Sequence, residues 1–195
     1  MLNKKGAMFG LDARIALAIF GALSVISGAA LYSAIKESRI TSLLTEYNEI
    51  GKAWESFYLD TGVQLAKASG YHNRFYTGQL VTDDSIDGWK GPYIAFEDKG
   101  GAFRPLIHER YYTILALYAN STDWDFFGDV STTCTATDCY LWILIDGLTL
   151  DLVEGLDKKI DNSDGADKGK LRYDYDSHVD VQYRASYQYA PIKMP

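Results

Sequence analysis

Three histidines and two cysteines are all that 195 residues contain of the usual metal-binding and nucleophilic side chains, and basic residues are outnumbered by acidic ones, 19 to 26. Each shortage excludes something. His72, His108 and His178 stand apart, with neither H-x3-H nor H-E-x-x-H spacing, so packing or surface roles are expected rather than a metal centre. No nucleophile elbow and no phosphate-binding glycine loop occurs, and no enzyme is expected. A formal net charge of -7 argues against a nucleic-acid partner, which would need a basic face to neutralise phosphates. The apolar and charged fractions, 47% and 23%, exclude disorder as the main state. What the chain has in excess is tyrosine, 15 against 8 phenylalanines, a residue suited to half-buried strand faces because its ring packs while its hydroxyl stays hydrated.

The other abundance is apolar and local. From Ile15 to Ile35 there are 21 residues without a charge, roughly 30 Å of helix and enough for one membrane span. Lys4 and Lys5 precede it and by the positive-inside rule hold the N-terminus in the cytoplasm. The two cysteines, Cys134 and Cys139, then fall on the exported side, where a C-x4-C pair is expected to form a local disulfide rather than two free thiols. Three readings compete for residues 1–35. A cleaved secretory signal has a shorter apolar core. A plain anchor fits the length but leaves Asp12 unexplained, since an acid well inside a span costs about 2.5–3.5 kcal/mol on insertion scales.

The third reading accounts for the acid. A short basic peptide ending in small residues, followed by an apolar helix with an acid near its start, resembles the type IV prepilin leader. The resemblance implies cleavage by a prepilin peptidase on the cytoplasmic face and methylation of the new terminal amine. Gly6, Ala7 and Met8 are the processing site. Cleavage between Ala7 and Met8 makes Asp12 the fifth mature residue and is favoured; cleavage after Gly6 makes it the sixth. The family's usual residues are Gly before the cut and Glu at the fifth position, so Ala7 and Asp12 are departures. The resemblance gives Asp12 the part of neutralising a neighbouring subunit's terminal amine in a low-dielectric helix bundle. Arg14 could instead pair with Asp12 or reach lipid phosphates.

Beyond Ile35 the apolar residues Ile40, Leu43, Leu44, Tyr47, Ile50, Trp54, Phe57 and Tyr58 recur at spacings of three and four, which predicts a helix continuing to a stop at Gly62. Gly21 and Gly28 would permit close helix packing or local melting, and the proline usual in this part of pilins is absent. Residues 62–88 read as an irregular connecting loop. The segment "DGWKGPYIAF" has good β-turn chemistry and an entering strand from Tyr93. It also resembles the D-x-W-G-x-P-Y segment of type II secretion major pseudopilins, where tryptophan and proline fix the start of the sheet on the helix. "RYYTILALYA" reads as a buried strand or a short helix. Leu148, Leu152, Val153, Leu156 and Ile160 predict a helix from about Thr149 to Lys159. Val179, Val181, Tyr183, Ala185, Tyr187 and Tyr189 alternate with polar residues, which predicts an antiparallel strand packed on one side.

The loop after the second helix, "LDKKIDNSDGADKGKLRY", resembles a pilin-like pattern through Asp161, Asp164, Gly165, Gly169 and Arg172. Asp157, Asp161, Asp164 and Asp167 form a candidate calcium (Ca2+) set against the alternative of a solvated Asx-rich turn. It is no EF-hand: aligned on Gly165, the first and last ligand positions fall on Ile160 and Leu171, which cannot coordinate. The resemblance raises the calcium reading, because major pseudopilins carry a calcium in their C-terminal region. Asn120, Ser121 and Thr122 match a glycosylation triplet, a pattern that arises often by chance.

The expectation is therefore an α+β pilin fold, a long N-terminal helix packed against a C-terminal antiparallel sheet. It divides into a leader (1–7), a membrane and filament-core helix (8–35), its amphipathic continuation (36–60) and a globular head (61–195). The resemblance implies a pilus or pseudopilus subunit that is an inner-membrane precursor and then an extracellular or periplasmic filament. Its partners would be like subunits, the prepilin peptidase and an inner-membrane assembly platform, with no required cofactor. The reading that competes is a bitopic exported sensor or binding domain on an ordinary anchor. Residues 62–86 and 97–140 resemble nothing nameable.

Overall fold

A computed structural model describes residues 5–68, 74–101, 105–108, 113–120, 139–176 and 182–192. The chain is α+β, with one long N-terminal helix and an antiparallel sheet towards its C-terminus. Helix α1 (Lys5–Thr61) runs without interruption for 57 residues, and the chain divides into two compact units, residues 1–41 and 42–195.

Over residues 10–35 the helix carries its large apolar side chains uncovered. Leu17, Phe20 and Val25 are each 70% exposed or more. Two of its hydroxyls are satisfied by the helix itself, Ser24 Oγ donating to the Phe20 carbonyl (2.8 Å) and Ser33 Oγ to that of Ala29 (3.1 Å).

In the second unit the same helix is amphipathic. Leu43, Tyr47, Ile50, Trp54 and Phe57 recur at four- and three-residue steps, so they form one stripe, and all five are buried. The stripe packs on a six-stranded antiparallel sheet ordered β1-β2-β3-β4-β6-β5. Its strands are β1 (Glu97–Asp98), β2 (Leu106–His108), β3 (Thr113–Asn120), β4 (Tyr140–Leu148), β5 (Leu171–Asp176) and β6 (Gln182–Pro191). The Tyr47 hydroxyl donates to the Ala185 carbonyl on β6 (3.0 Å), and its ring meets that of Tyr187 at 5.4 Å. Tyr189 closes over Gly51, where a Cβ would overlap the tyrosine ring, and its hydroxyl donates to Glu55 Oε1 (3.1 Å). Burial raises the Tyr47 phenol far above its ordinary value, and burial together with the Glu55 hydrogen bond pushes that of Tyr189 up to about 12. Both therefore serve as neutral hydrogen-bond donors.

Helix α2 (Leu150–Asp161) follows Thr149 and ends on left-handed Asn162, two residues past the expected stop at Lys159. "RYYTILALYA" resolves as strand β3 over its described part. Two expectations need correction. The strand expected from Tyr93 begins only at Glu97, because residues 89–93 are engaged in fastening the end of α1. The sheet is also not packed on one side alone. Trp142, Leu144 and Tyr118 cluster on the face opposite Ile143 and Tyr187, and Ser186 on that face is fully buried. Arg172 lies over the Trp142 ring and Arg74 over that of Tyr118, so guanidinium groups supply part of the cover. Val179 and Val181 lie outside the described residues.

The described residues of the connecting segment, 62–68 and 74–88, have little regular structure but do not form a solvated loop. The 3-10 turn Thr77–Leu80 is buried. Thr77 Oγ1 accepts from the Leu117 amide (3.1 Å) and Gln79 Oε1 from that of Ala66 (2.8 Å), so side chains satisfy backbone groups that a strand would have paired.

Candidate functional site

Two places carry chemistry that the core does not explain. The first is the stem, the part of α1 in residues 10–35. It is long and apolar enough to cross a membrane, and its apolar window is wholly uncovered. Asp12 and Arg14 stand exposed at its head. Two residues apart on a continuous helix, their side chains leave the axis about 200° apart, so they cannot face each other within one chain. The backbone of Gly6, Ala7 and Met8 is helical, within α1.

The second is the loop joining α2 to β5. Asp157 and Asp161 lie one turn apart on the last two turns of α2, and Asp164 follows the cap, so the chain reversal brings three carboxylates together with oxygens within 4.8 Å of one another. Asp167 is exposed and stands outside this group. Asp161 Oδ2 accepts from the Leu171 amide (2.7 Å), tying the cluster to the first residue of β5. Gly169, at φ 69°, leaves the space in which the Asp161 and Asp164 carboxylates sit; a Cβ there would overlap both. Asp157 is 3% exposed, and its Oδ1 has no hydrogen-bond partner. Burial pushes its carboxyl above the ordinary carboxylate range, the Gly165 amide opposes this, and the charges of Asp164 and Asp161 add to it. Three clustered carboxylates, one of them buried with an unpartnered oxygen, are the residues that could hold a hard divalent cation here.

A third element, the tryptophan turn, serves attachment. Trp89 Nε1 donates to the Gln79 carbonyl (2.9 Å), and the Tyr93 ring meets Phe57 and Trp89 edge-on, each at 5.8 Å. Tyr93 Oη accepts from the Lys90 amide (2.9 Å), and Lys90 Nζ reaches Asp60 Oδ1 (3.0 Å). The turn thus ties the last turn of α1 to the buried 3-10 segment, whereas the resemblance had its tryptophan and proline fixing the start of the sheet on the helix.

Cys139 is disulfide-bonded, while Cys134 lies outside the described residues. His72, His178, Ser121 and Thr122 lie outside them as well, and His108 stands on β2. Sequence reasoning found the three clustered aspartates from their spacing. It missed the orphaned oxygen of Asp157, whose only sequence signal is its place on the apolar side of α2, next to Leu156 and Val153.

Compared with known proteins, the chain matches no family model, no curated protein and no solved structure.

Proposed function

We propose that this chain is a filament subunit of the type IV pilin class, of a surface pilus or a secretion pseudopilus, held in the inner membrane as a precursor and polymerised through its stem. One observation carries the reading: a single unbroken helix is bare and apolar over one half and seated under an antiparallel sheet over the other. A soluble domain has no use for that much uncovered apolar surface, which must be covered by lipid or by other chains. The acid at the head of the stem then favours a packed bundle of helices over a lone anchor, because in lipid it needs a charge partner. Prepilin peptidase would release the leader, and an inner-membrane platform would assemble like subunits into a periplasmic or extracellular polymer.

The test is intact mass and N-terminal peptide mapping of the protein recovered from cells that contain prepilin peptidase. The expected result is loss of residues 1–7 and one added methyl group on Met8; loss of residues 1–6 would shift the register and keep the class. An uncut N-terminus would remove the filament reading and leave a membrane-anchored exported domain. Asp12→Ala separates the two as well: it abolishes polymer while leaving insertion intact in a filament subunit, and is silent in an anchor.

The acidic loop supports a structural calcium ion held by Asp157, Asp161 and Asp164, which would fix the α2–β5 turn and take no part in a reaction. Calcium is expected to raise the Tm of the head, and Asp161→Asn with Asp164→Asn to abolish that rise. Because the folded-state carboxyl of Asp157 is raised, its penalty is absent while protonated and grows as pH rises through the raised value. The calcium effect on Tm should therefore strengthen from acid to neutral pH, and an effect that weakens along that path contradicts the assignment.

A further inference from the structure

The stem carries its two charges on opposite sides. Asp12 shares its side with Ile19, Leu23 and Ile26, at helical steps that bring them within about 40° of one line. Arg14 shares the other side with Gly10, Gly21 and Gly28. The first set projects bulk: Ile19, Leu23 and Ile26 are each more than half exposed. The second is mixed: a Cβ at Gly10, Gly21 or Gly28 would meet nothing within 4 Å, while Val25 and Tyr32 stand exposed on the same side. Neither charge can be neutralised by the other within the chain, yet both sit at the head of an apolar segment where an unpaired charge is costly.

We infer that the occupant of this surface is a second copy of the chain, and that Asp12 of one copy pairs with Arg14 of the next. This rests on the filament reading and names the contact on which the polymer would be built. Charge complementarity decides the geometry. Two parallel stems meeting by identical faces would set Asp12 against Asp12 or Arg14 against Arg14, which is repulsive. Opposite faces bring unlike charges together. A contact between two different faces is heterologous, so one copy keeps its Arg14 face unused and the other its Asp12 face, and the array stays open to further copies. A carboxylate and a guanidinium in a low-dielectric contact also form a directed, two-pronged pair, which fixes the stagger of adjacent stems.

The test is charge exchange in the full-length protein in cells, reading sedimentable polymer against the amount of membrane-inserted subunit. Asp12→Arg and Arg14→Asp should each lower polymer by about tenfold or more, and the double exchange should restore it to within about threefold of wild type. Arg14→Lys, which keeps the charge but not the two-pronged geometry, should retain more polymer than Arg14→Gln, with insertion unchanged in both. Arg14→Asp or Arg14→Gln polymerising normally overturns the pairing, as does a double exchange no better than the single ones. Dependence on Asp12 without dependence on Arg14 assigns the carboxylate to a neighbour's terminal amine instead, and also overturns it. A wild-type chain that forms no polymer removes the filament reading itself, whereas the other failures leave that reading in place.

Discussion

The two halves of α1 differ in how much apolar side chain they carry and in how it is distributed. Over residues 43–57 Leu43, Tyr47, Ile50, Trp54 and Phe57 form one stripe, and all are buried beneath the sheet. Over residues 11–35 Leu11, Ile15, Leu17, Ile19, Phe20, Leu23, Val25, Ile26, Leu31 and Ile35 point in every direction and all are exposed. A stripe can be satisfied by one surface of the same chain. A fully apolar cylinder cannot, and must be surrounded by lipid or by other helices. The lesson is that half of this helix is part of a folded domain and half is an interface awaiting its surroundings.

Matched substitutions sharpen that contrast. The largest effect is expected at Phe57, which is fully buried against the Tyr93 ring. Phe57→Ala should destabilise the head by about 3–5 kcal/mol, read as a fall in the urea midpoint. Phe20→Ala removes the same atoms from a side chain that is 70% exposed and should leave the midpoint unchanged. A shift with Phe20→Ala would show that stem and head unfold together and would break the comparison.

A smaller effect separates the glycines. Gly51→Ala forces the Tyr189 ring away from the helix and costs it the bond to Glu55, a loss of about 1 kcal/mol after the gain in helix propensity. Gly21→Ala meets nothing and should leave the head as stable as before. Equal urea midpoints for the two variants would contradict the close seating of Tyr189.

The smallest effect lies at the end of the helix. The hydrogen bond from Lys90, with a second from Tyr93, holds the Asp60 carboxyl below the ordinary carboxylate range despite opposing desolvation. A depressed folded value means that the stabilisation is present above the ordinary range and is lost as pH falls through the folded value. Lys90→Ala should move the Asp60 titration, followed by NMR, back towards the ordinary range, with little change in the midpoint because the pair is exposed. An unmoved titration would mean that the Tyr93 hydroxyl alone sets it.

How much of this was legible before the fold depended on how local each cause is. The stripe of α1 and the helix α2 follow from spacing, since a period of 3.6 is written in the sequence. The acids at 157, 161, 164 and 167 were legible as a cluster in a turning loop, of which Asp157, Asp161 and Asp164 lie together. The burial of Asp157 was not, because it depends on what folds over α2. Ser186 and Gln188 looked like the wet side of a strand, but Trp142, Leu144 and Tyr118 converge on Ser186 from β4 and β3, far away in sequence. The segment 89–93 was legible as a turn. Its engagement with Phe57, Asp60 and Gln79 was not, and so the strand was expected four residues too early.

The bond from Tyr47 to the Ala185 carbonyl has a consequence in time. It joins residues 138 positions apart, and β6, the last strand in sequence, lies between β4 and β5. A growing chain therefore produces its stem and the Tyr47 stripe long before the strand that receives them exists. Until β6 is made, β4 has an unpaired edge and the stripe has no complete floor. Such distant closure is slow compared with local helix formation, because the loop must be closed before any contact rewards it. The stem is ready for its surroundings while the head is still unfolded.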